Sequence, residues 1–181
     1  MKLSTQVQET RRTRILLVED QAAIREMLAE VLSQLPEFEI VAEADTFDQA
    51  IASAIRTQPD VVVLDWVFPG GGGGAFLRAM RPNRLRSRVL VLTGHTSEAS
   101  VEEAMTSGAR GFFEKGASLE EFIRALRTVA AGGAYFGPMA AEIVRQMVVV
   151  SQPALVETPP ASNPEGNGTP EETRESVIAS G

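Results

Sequence analysis

Cysteine is absent from the 181 residues, histidine occurs once, as His95, and lysine only twice, as Lys2 and Lys115. Without cysteine there is neither a disulfide scaffold nor a thiolate zinc site, and a lone imidazole leaves no all-protein transition-metal centre to build. Only hard, oxygen-bound cations remain. No apolar run approaches the ~18 residues of a membrane span, and residues 1–13 lack the apolar centre of a signal peptide, so a cytoplasmic protein without membrane contact is expected. What is present is ordinary for a globular chain: 44% hydrophobic residues and 24 acidic against 17 basic, a net charge of −7. At ~100 to 200 residues per domain this length holds one domain, or one and a fragment.

Apolar patterning divides the chain. Residues 1–13 read as a polar arm, with order beginning at Arg14. Ile15 to Val18 is a short apolar run that ends in Glu19-Asp20, and Ile24, Met27, Leu28, Val31, Leu32 and Leu35 then recur at helical spacing up to Pro36. Phe38 to Ala44 predicts a half-exposed strand with Phe38, Ile40, Ala42 and Ala44 on one face. Thr46 is placed to cap a helix carrying Phe47, Ala50, Ile51, Ala54 and Ile55, closed by Pro59. Val61 to Leu64 is a wholly apolar strand ending in Asp65. The glycine run Gly70–Gly74, a short helix from Ala75 to Met80 and the strand Val89 to Leu92, ending in Thr93, come next. Ser97 can cap a helix over 97–107, Gly111 to Phe113 is a brief fifth strand before Lys115, and Ser118 with Glu121 has capping-box spacing for a helix over 118–130. Beyond Pro138 a stripe of Met139, Ile143, Met147 and Val150 predicts a helix over 138–150. Residues 151–181 hold five of the ten prolines, five acidic residues and one arginine, Arg174. That composition predicts a disordered linker at 151–168.

Five strands alternating with helices imply an α/β fold, a doubly wound parallel sheet with right-handed crossovers. The runs at 15–18, 61–64 and 89–92 are apolar throughout and so central, while 38–44 belongs at an edge, which gives the flavodoxin-like order 2-1-3-4-5. Ligands bind such sheets beyond the carboxyl ends of the strands where the order reverses. Glu19, Asp20, Asp65, Thr93 and Lys115 all arrive at that rim. Three converging carboxylates repel one another unless a hard cation joins them, and an all-oxygen set with waters suits Mg²⁺. Beside it, Lys115 and the Thr93 hydroxyl would cradle a tetrahedral anion, with Asp65 placed as nucleophile toward a phosphoryl group. One of only two lysines in an otherwise arginine-charged chain stands where a compact ammonium reaches phosphate oxygens.

From about Arg14 to Pro138, as a receiver over 14–137, the sequence resembles the receiver domains of two-component response regulators of the LuxR/NarL type. The acidic pair in ILLVED matches Glu19-Asp20, the phosphoacceptor in VVVLDWVFPGG matches Asp65 with Pro69 and Gly73 in place, VLVLTGHT supplies Thr93, and GARGFFEKGASLEEFIRAL supplies Lys115. Phe112, three residues before that lysine, matches an aromatic switch position. The resemblance implies acceptance of a phosphoryl group onto Asp65 from a sensor histidine kinase or phosphotransfer protein, with slow self-dephosphorylation and no other enzymatic activity. It also implies Mg²⁺ held by Glu19, Asp20, Asp65 and the Val67 backbone carbonyl. Thr93 and Phe112 would switch together, Phe112 turning inward, and alter the 97–130 face, a possible homodimer surface; Val67 and His95 would tune hydrolysis. Glu19 stands where aspartate is commoner, Phe112 lacks the usual tyrosine hydroxyl, and the glycine run is expected to loosen the loop beside Asp65.

Each residue also has a plainer reading: a solvated strand end, a turn threonine, a core aromatic, an exposed loop histidine. Five matches at successive strand ends outweigh them together. A glycine run without Lys-Ser/Thr or Rossmann spacing is a weak nucleotide signal. A haloacid-dehalogenase-type phosphohydrolase would need a second aspartate where Val67 stands. Two further alternatives are a LuxR-type DNA-binding regulator seen without its effector and a phosphorylation-independent pseudo-receiver. TPEETRESVIASG, at 169–181, reads as the start or remnant of a helix-turn-helix effector, but with only Arg174 basic in the tail no nucleic-acid contact is expected.

Overall fold

A computed structural model describes residues 11–151, and one parallel sheet of order β2-β1-β3-β4-β5-β6 runs through it. Its strands are β1 (Thr13–Val18), β2 (Phe38–Ala44), β3 (Val61–Asp65), β4 (Arg88–Thr93), β5 (Gly111–Glu114) and β6 (Tyr135–Phe136). The helices are α1 (Ala22–Ser33), α2 (Phe47–Thr57), α3 (Gly72–Met80), α4 (Glu98–Thr106), α5 (Leu119–Ala130) and α6 (Pro138–Ser151). The expected order holds and gains a sixth strand. β6 pairs only Tyr135 with Gly111 and Phe136 with Phe112, too short a run to show a strand pattern. Order begins earlier than Arg14, since the Thr13 amide already donates to the Glu37 carbonyl at 2.8 Å. The rest of the expected arm, the linker beyond Ser151 and the effector remnant at 169–181 lie outside the described residues.

Strands β1, β3, β4 and β5 alternate strictly between two cores. Leu16, Val18, Val62, Leu64, Val89, Val91 and Phe112 face α2, α3, α4 and α6. Ile15, Leu17, Val61, Val63, Leu90, Leu92 and Phe113 face α1 and α5. Burial on both sides is what a helix-covered parallel sheet requires, and it explains the uninterrupted apolar runs.

The edge strand departs from its predicted pattern. The β1–β2 register shifts between Ile15 and Leu16, so that Ile15 pairs with Ile40 but Leu16 with Ala42. Val41 is the extra residue, and the bulge reverses the pleat beyond it. Phe38 and Ile40 therefore join the α1/α5 core, while Ala42 and Ala44 join the opposite one.

Four helices also differ in detail. Met27 of the α1 stripe is exposed. Thr46 occupies the N-cap of α2 without a side-chain cap bond. α6 is rotated from its predicted stripe: Ala140, Ile143 and Val144 pack on the core and Met139 is exposed. α3 starts at Gly72, not Ala75, so the glycines are partly its first turn. A Cβ on Gly73 would stand 2.7 Å from the Trp66 ring, so this glycine answers to close packing rather than to looseness. The glycines in front of the helix have another reason, since Gly70 (φ 95°) and Gly71 (φ 149°) adopt left-handed backbone that side chains resist.

Candidate functional site

The pairing of β1 carries past its end, because the Glu19 amide donates to the Ala44 carbonyl at 3.0 Å, and this draws the Glu19 side chain under the rim, where it is fully buried. Arg25, in the first turn of α1, donates to the Glu19 carbonyl at 2.7 Å and fixes that turn. Asp65 ends β3 and is also buried, while Asp20 is exposed. One carboxylate oxygen from each of Glu19, Asp20 and Asp65 lies within 4.8 Å of the others.

Lys115 enters this group from the end of β5. Its amide donates to the Thr93 carbonyl at 2.8 Å, and its Nζ stands 2.8 Å from Glu19 Oε2 and 3.0 Å from Asp65 Oδ2. The Glu19 contact is an ion pair without good hydrogen-bond direction, so buried Oε2 has a charge beside it but no well-aligned donor. Burial pushes the Glu19 carboxyl above its ordinary range and the Asp65 charge adds to the rise, against the pull of Lys115. Burial by itself would lower Lys115; its two carboxylate partners outweigh this and hold it above the usual lysine value. A buried oxygen lacking a directed donor, within an all-carboxylate donor set, fits a hard divalent cation.

Thr93 is buried at the end of β4, and its hydroxyl donates to the His95 carbonyl at 2.7 Å while accepting from the His95 amide at 3.1 Å. The His95 side chain is exposed at the mouth of a cleft of about 470 Å³, which Asp20, Asp65, Val67, Thr93 and Lys115 also line. Val67 is 74% exposed, and its amide donates to Asp65 Oδ1 at 3.3 Å. Opposite, Ser97 and Ser100 form a reciprocal capping box for α4. The matching box at Ser118 is half made: Ser118 accepts from the Glu121 amide, but the Glu121 carboxylate turns to Arg124 and Tyr135.

Phe112 does not line the cleft. It is fully buried on the α4 side, its ring 6.3 Å from that of Trp66. In this structure the ring already faces inward. Two contributors escaped the sequence reading. Trp66 forms a wall of the cleft, and its only advance signal was its place directly after Asp65. Glu114, beside Lys115, accepts from the Met139 and Ala140 amides at 3.1 and 3.2 Å and so caps α6; no residue pattern indicates a cap supplied from 25 positions away.

Residues 15–127 match the response regulator receiver domain family. The response regulator GacA of Pseudomonas aeruginosa is 31% identical over 147 residues, covering 81% of this chain and 67% of GacA. The response regulator UvrY of Escherichia coli K12 is 30% identical over 149 residues, again with 67% of the relative covered. Among solved structures, a LuxR-family two-component response regulator from Aurantimonas sp. SI85-9A1 superposes with a TM-score of 0.71 at 30% identity, over 76% of this chain and 99% of that one. The signal receiver domain of the putative regulator NarL from Mycobacterium tuberculosis gives 0.64 at 31% identity, over 67% and 98%.

Proposed function

The chain belongs to the response regulator receiver domain family, and from that premise we propose that it takes a phosphoryl group from the phosphohistidine of a sensor kinase or phosphotransfer protein onto Asp65. The observation that carries the reading is the Asp65 carboxylate, open to the cleft and 3.0 Å from Lys115 Nζ, with Glu19 and Asp20 alongside. A carboxylate oxygen of Asp65 attacks phosphorus, the P–N bond to the donor imidazole breaks, and the imidazole leaves with a proton. Lys115 then shifts charge from the carboxylates to the phosphoryl oxygens. Glu19, Asp20, Asp65 and the Val67 carbonyl are the proposed Mg²⁺ ligands. The metal, when bound, neutralises charge between nucleophile and phosphoryl group.

The proposed switch starts at Thr93. Its hydroxyl gives up the His95 carbonyl for a phosphoryl oxygen, which releases the β4–α4 connection that this bond holds. Since Phe112 is already buried, what changes is the packing of Trp66, Phe112 and α4. The 97–130 face is the proposed homodimer surface, and α6 lies along part of α4 there while β6 pairs with the edge of β5. Val67 and His95, exposed at the cleft, are the proposed positions that adjust hydrolysis by controlling the approach of water. No helix among the described residues is long and apolar enough to cross a membrane, and we place the protein in the cytoplasm.

Incubation with a small phosphodonor and Mg²⁺ is expected to add about 80 Da, one phosphoryl group on one carboxylate nucleophile. Absence of the adduct from the parent protein, or an undiminished adduct in Asp65→Ala, refutes the proposal.

A further inference from the structure

The end of the sheet opposite the cleft carries the reverse charge. Backbone bonds set out a row along the strands' N-terminal ends: the Asp60 amide donates to the Arg14 carbonyl at 2.8 Å, the Arg88 amide to the Asp60 carbonyl at 3.0 Å, and the Arg110 amide to the Val89 carbonyl at 2.9 Å. Arg11 and Arg12 lead into β1 at this end, and Arg84 and Arg86 lie in the segment leading into β4. Arg11, Arg12, Arg84, Arg86, Arg88 and Arg110 are all exposed. Three carboxylates stand at the same end, one of them the exposed Glu39, which lies opposite Arg14 in the β1–β2 register. Asp60 holds Arg11 at 3.1 Å, and Glu37, at the β2 edge, is bound to Arg127 at 2.6 Å. Among the described residues the other five exposed arginines have no carboxylate partner.

Arg88 and Arg110 stand at the entries of neighbouring strands, which lie about 4.8 Å apart, and an anion shared between such like charges relieves their repulsion; Asp60, at the entry of β3, separates them from the arginines leading into β1. In a protein of net charge −7 this segregation is opposite to the overall field. We propose that the arginine rim is a sequence-independent binding surface for the phosphodiester backbone of nucleic acid. Guanidinium groups match phosphate oxygens in pairs, and among the described residues this rim contains arginine and no lysine. From β1 to β5 the row crosses three strand spacings, roughly 15 Å, the length of about four nucleotide steps of 3.4 Å. A protein partner would need buried apolar or aromatic anchors, and an anionic membrane would need apolar side chains to insert. Among the described residues, only Ile55 of the large exposed apolar ones, near the end of α2, belongs to this end of the fold. Charge alone, by contrast, sustains backbone binding to nucleic acid. The expectation of no nucleic-acid contact rests on the acidic tail; the rim is a separate surface and owes nothing to the phosphoacceptor cleft.

The test is anisotropy of a fluorescein-labelled DNA duplex titrated with the full chain in EDTA. Five arginines without a carboxylate partner give a log–log salt slope of about −4.5, an affinity loss of about 500-fold between 50 and 200 mM salt. Arg84→Ala with Arg86→Ala and Arg110→Ala, its fold checked by circular dichroism, is expected to flatten the slope to about −1.8, about 12-fold over the same range. Should that triple variant not fold, Arg84→Gln with Arg86→Gln, in an exposed connection, carries the same test with a slope of about −2.7. No binding at 50 mM salt, a slope unchanged in the folded variant, or tighter binding of polyglutamate or phosphatidylserine vesicles than of the duplex overturns the proposal.

Discussion

Replacing Lys115 with methionine keeps most of the aliphatic stem and removes only the ammonium. In the parent that ammonium stands 2.8 Å from Glu19 and 3.0 Å from Asp65, and Glu19 is fully buried. Without it the Glu19, Asp20 and Asp65 oxygens, within 4.8 Å of one another, are left with no opposing charge from Lys115. At an effective dielectric near 20, two unit charges at such a distance repel by about 3.5 kcal/mol. Removing one member of a buried pair costs about 3–5 kcal/mol. Proton uptake by Glu19, whose pKa burial already raises, holds the loss to the lower end of that range. The expected destabilisation in EDTA at neutral pH is therefore about 3 kcal/mol, roughly 10 °C in Tm for a domain of this size. Urea unfolding reports it through Trp66, the only tryptophan. Mg²⁺ at about a hundred times the parent's dissociation constant adds about 2.7 kcal/mol to the parent, and at that same concentration the variant should gain more, because a competing positive charge has gone. A loss below about 1 kcal/mol in EDTA, or one that Mg²⁺ leaves unchanged, refutes the reasoning.

Three further outcomes are expected. With its pKa raised by folding, Glu19 favours the folded state fully below the ordinary value of 4.5, and that contribution is lost as pH rises through the raised value. Urea midpoints in EDTA should thus show the parent losing ground to Glu19→Gln across that window, and a pH-independent difference is the contrary result. Gly73→Ala, which in an open helix would stabilise, should cost about 1–3 kcal/mol here, because its Cβ meets the Trp66 ring at 2.7 Å; an unchanged thermal midpoint counts against this packing. Glu114→Ala removes the acceptor for two amides at the start of α6 and should cost about 1 kcal/mol, with faster hydrogen exchange at Met139 and Ala140. Equal exchange in both proteins argues that the cap is idle.

What was legible in the sequence is what local pattern controls. Val61 to Leu64 and Val89 to Leu92, buried on both faces, are apolar without a break, and the order of the five longer strands rests on them. The residues at the strand ends were equally readable: Glu19, Asp20, Asp65, Thr93 and Lys115 meet in one cleft or directly beneath it. Features that depend on contacts between distant segments were not. The bulge at Val41 is set by pairing with β1, and no residue of Phe38 to Ala44 announces it. The face that α6 buries is not legible locally, because Met139 and Ala140 are both apolar and only the surface of α4 decides between them. The burial of Phe112 depends on Trp66 and α4, outside its own strand.

The attachment of α6 to β5 has a mechanical consequence. The Phe112 carbonyl accepts from the Gly137 amide at 2.9 Å, two residues later the Glu114 carboxylate holds the first turn of α6, and Lys115 comes next. α6 is thus hinged on the strand that delivers the ammonium to the cleft. Its 14 residues make an arm of about 21 Å, so a tilt of only about 5° at the hinge moves the far end by about 2 Å. A displacement of β5 too small to disturb the core would be amplified into a movement as large as an atom at Ser151.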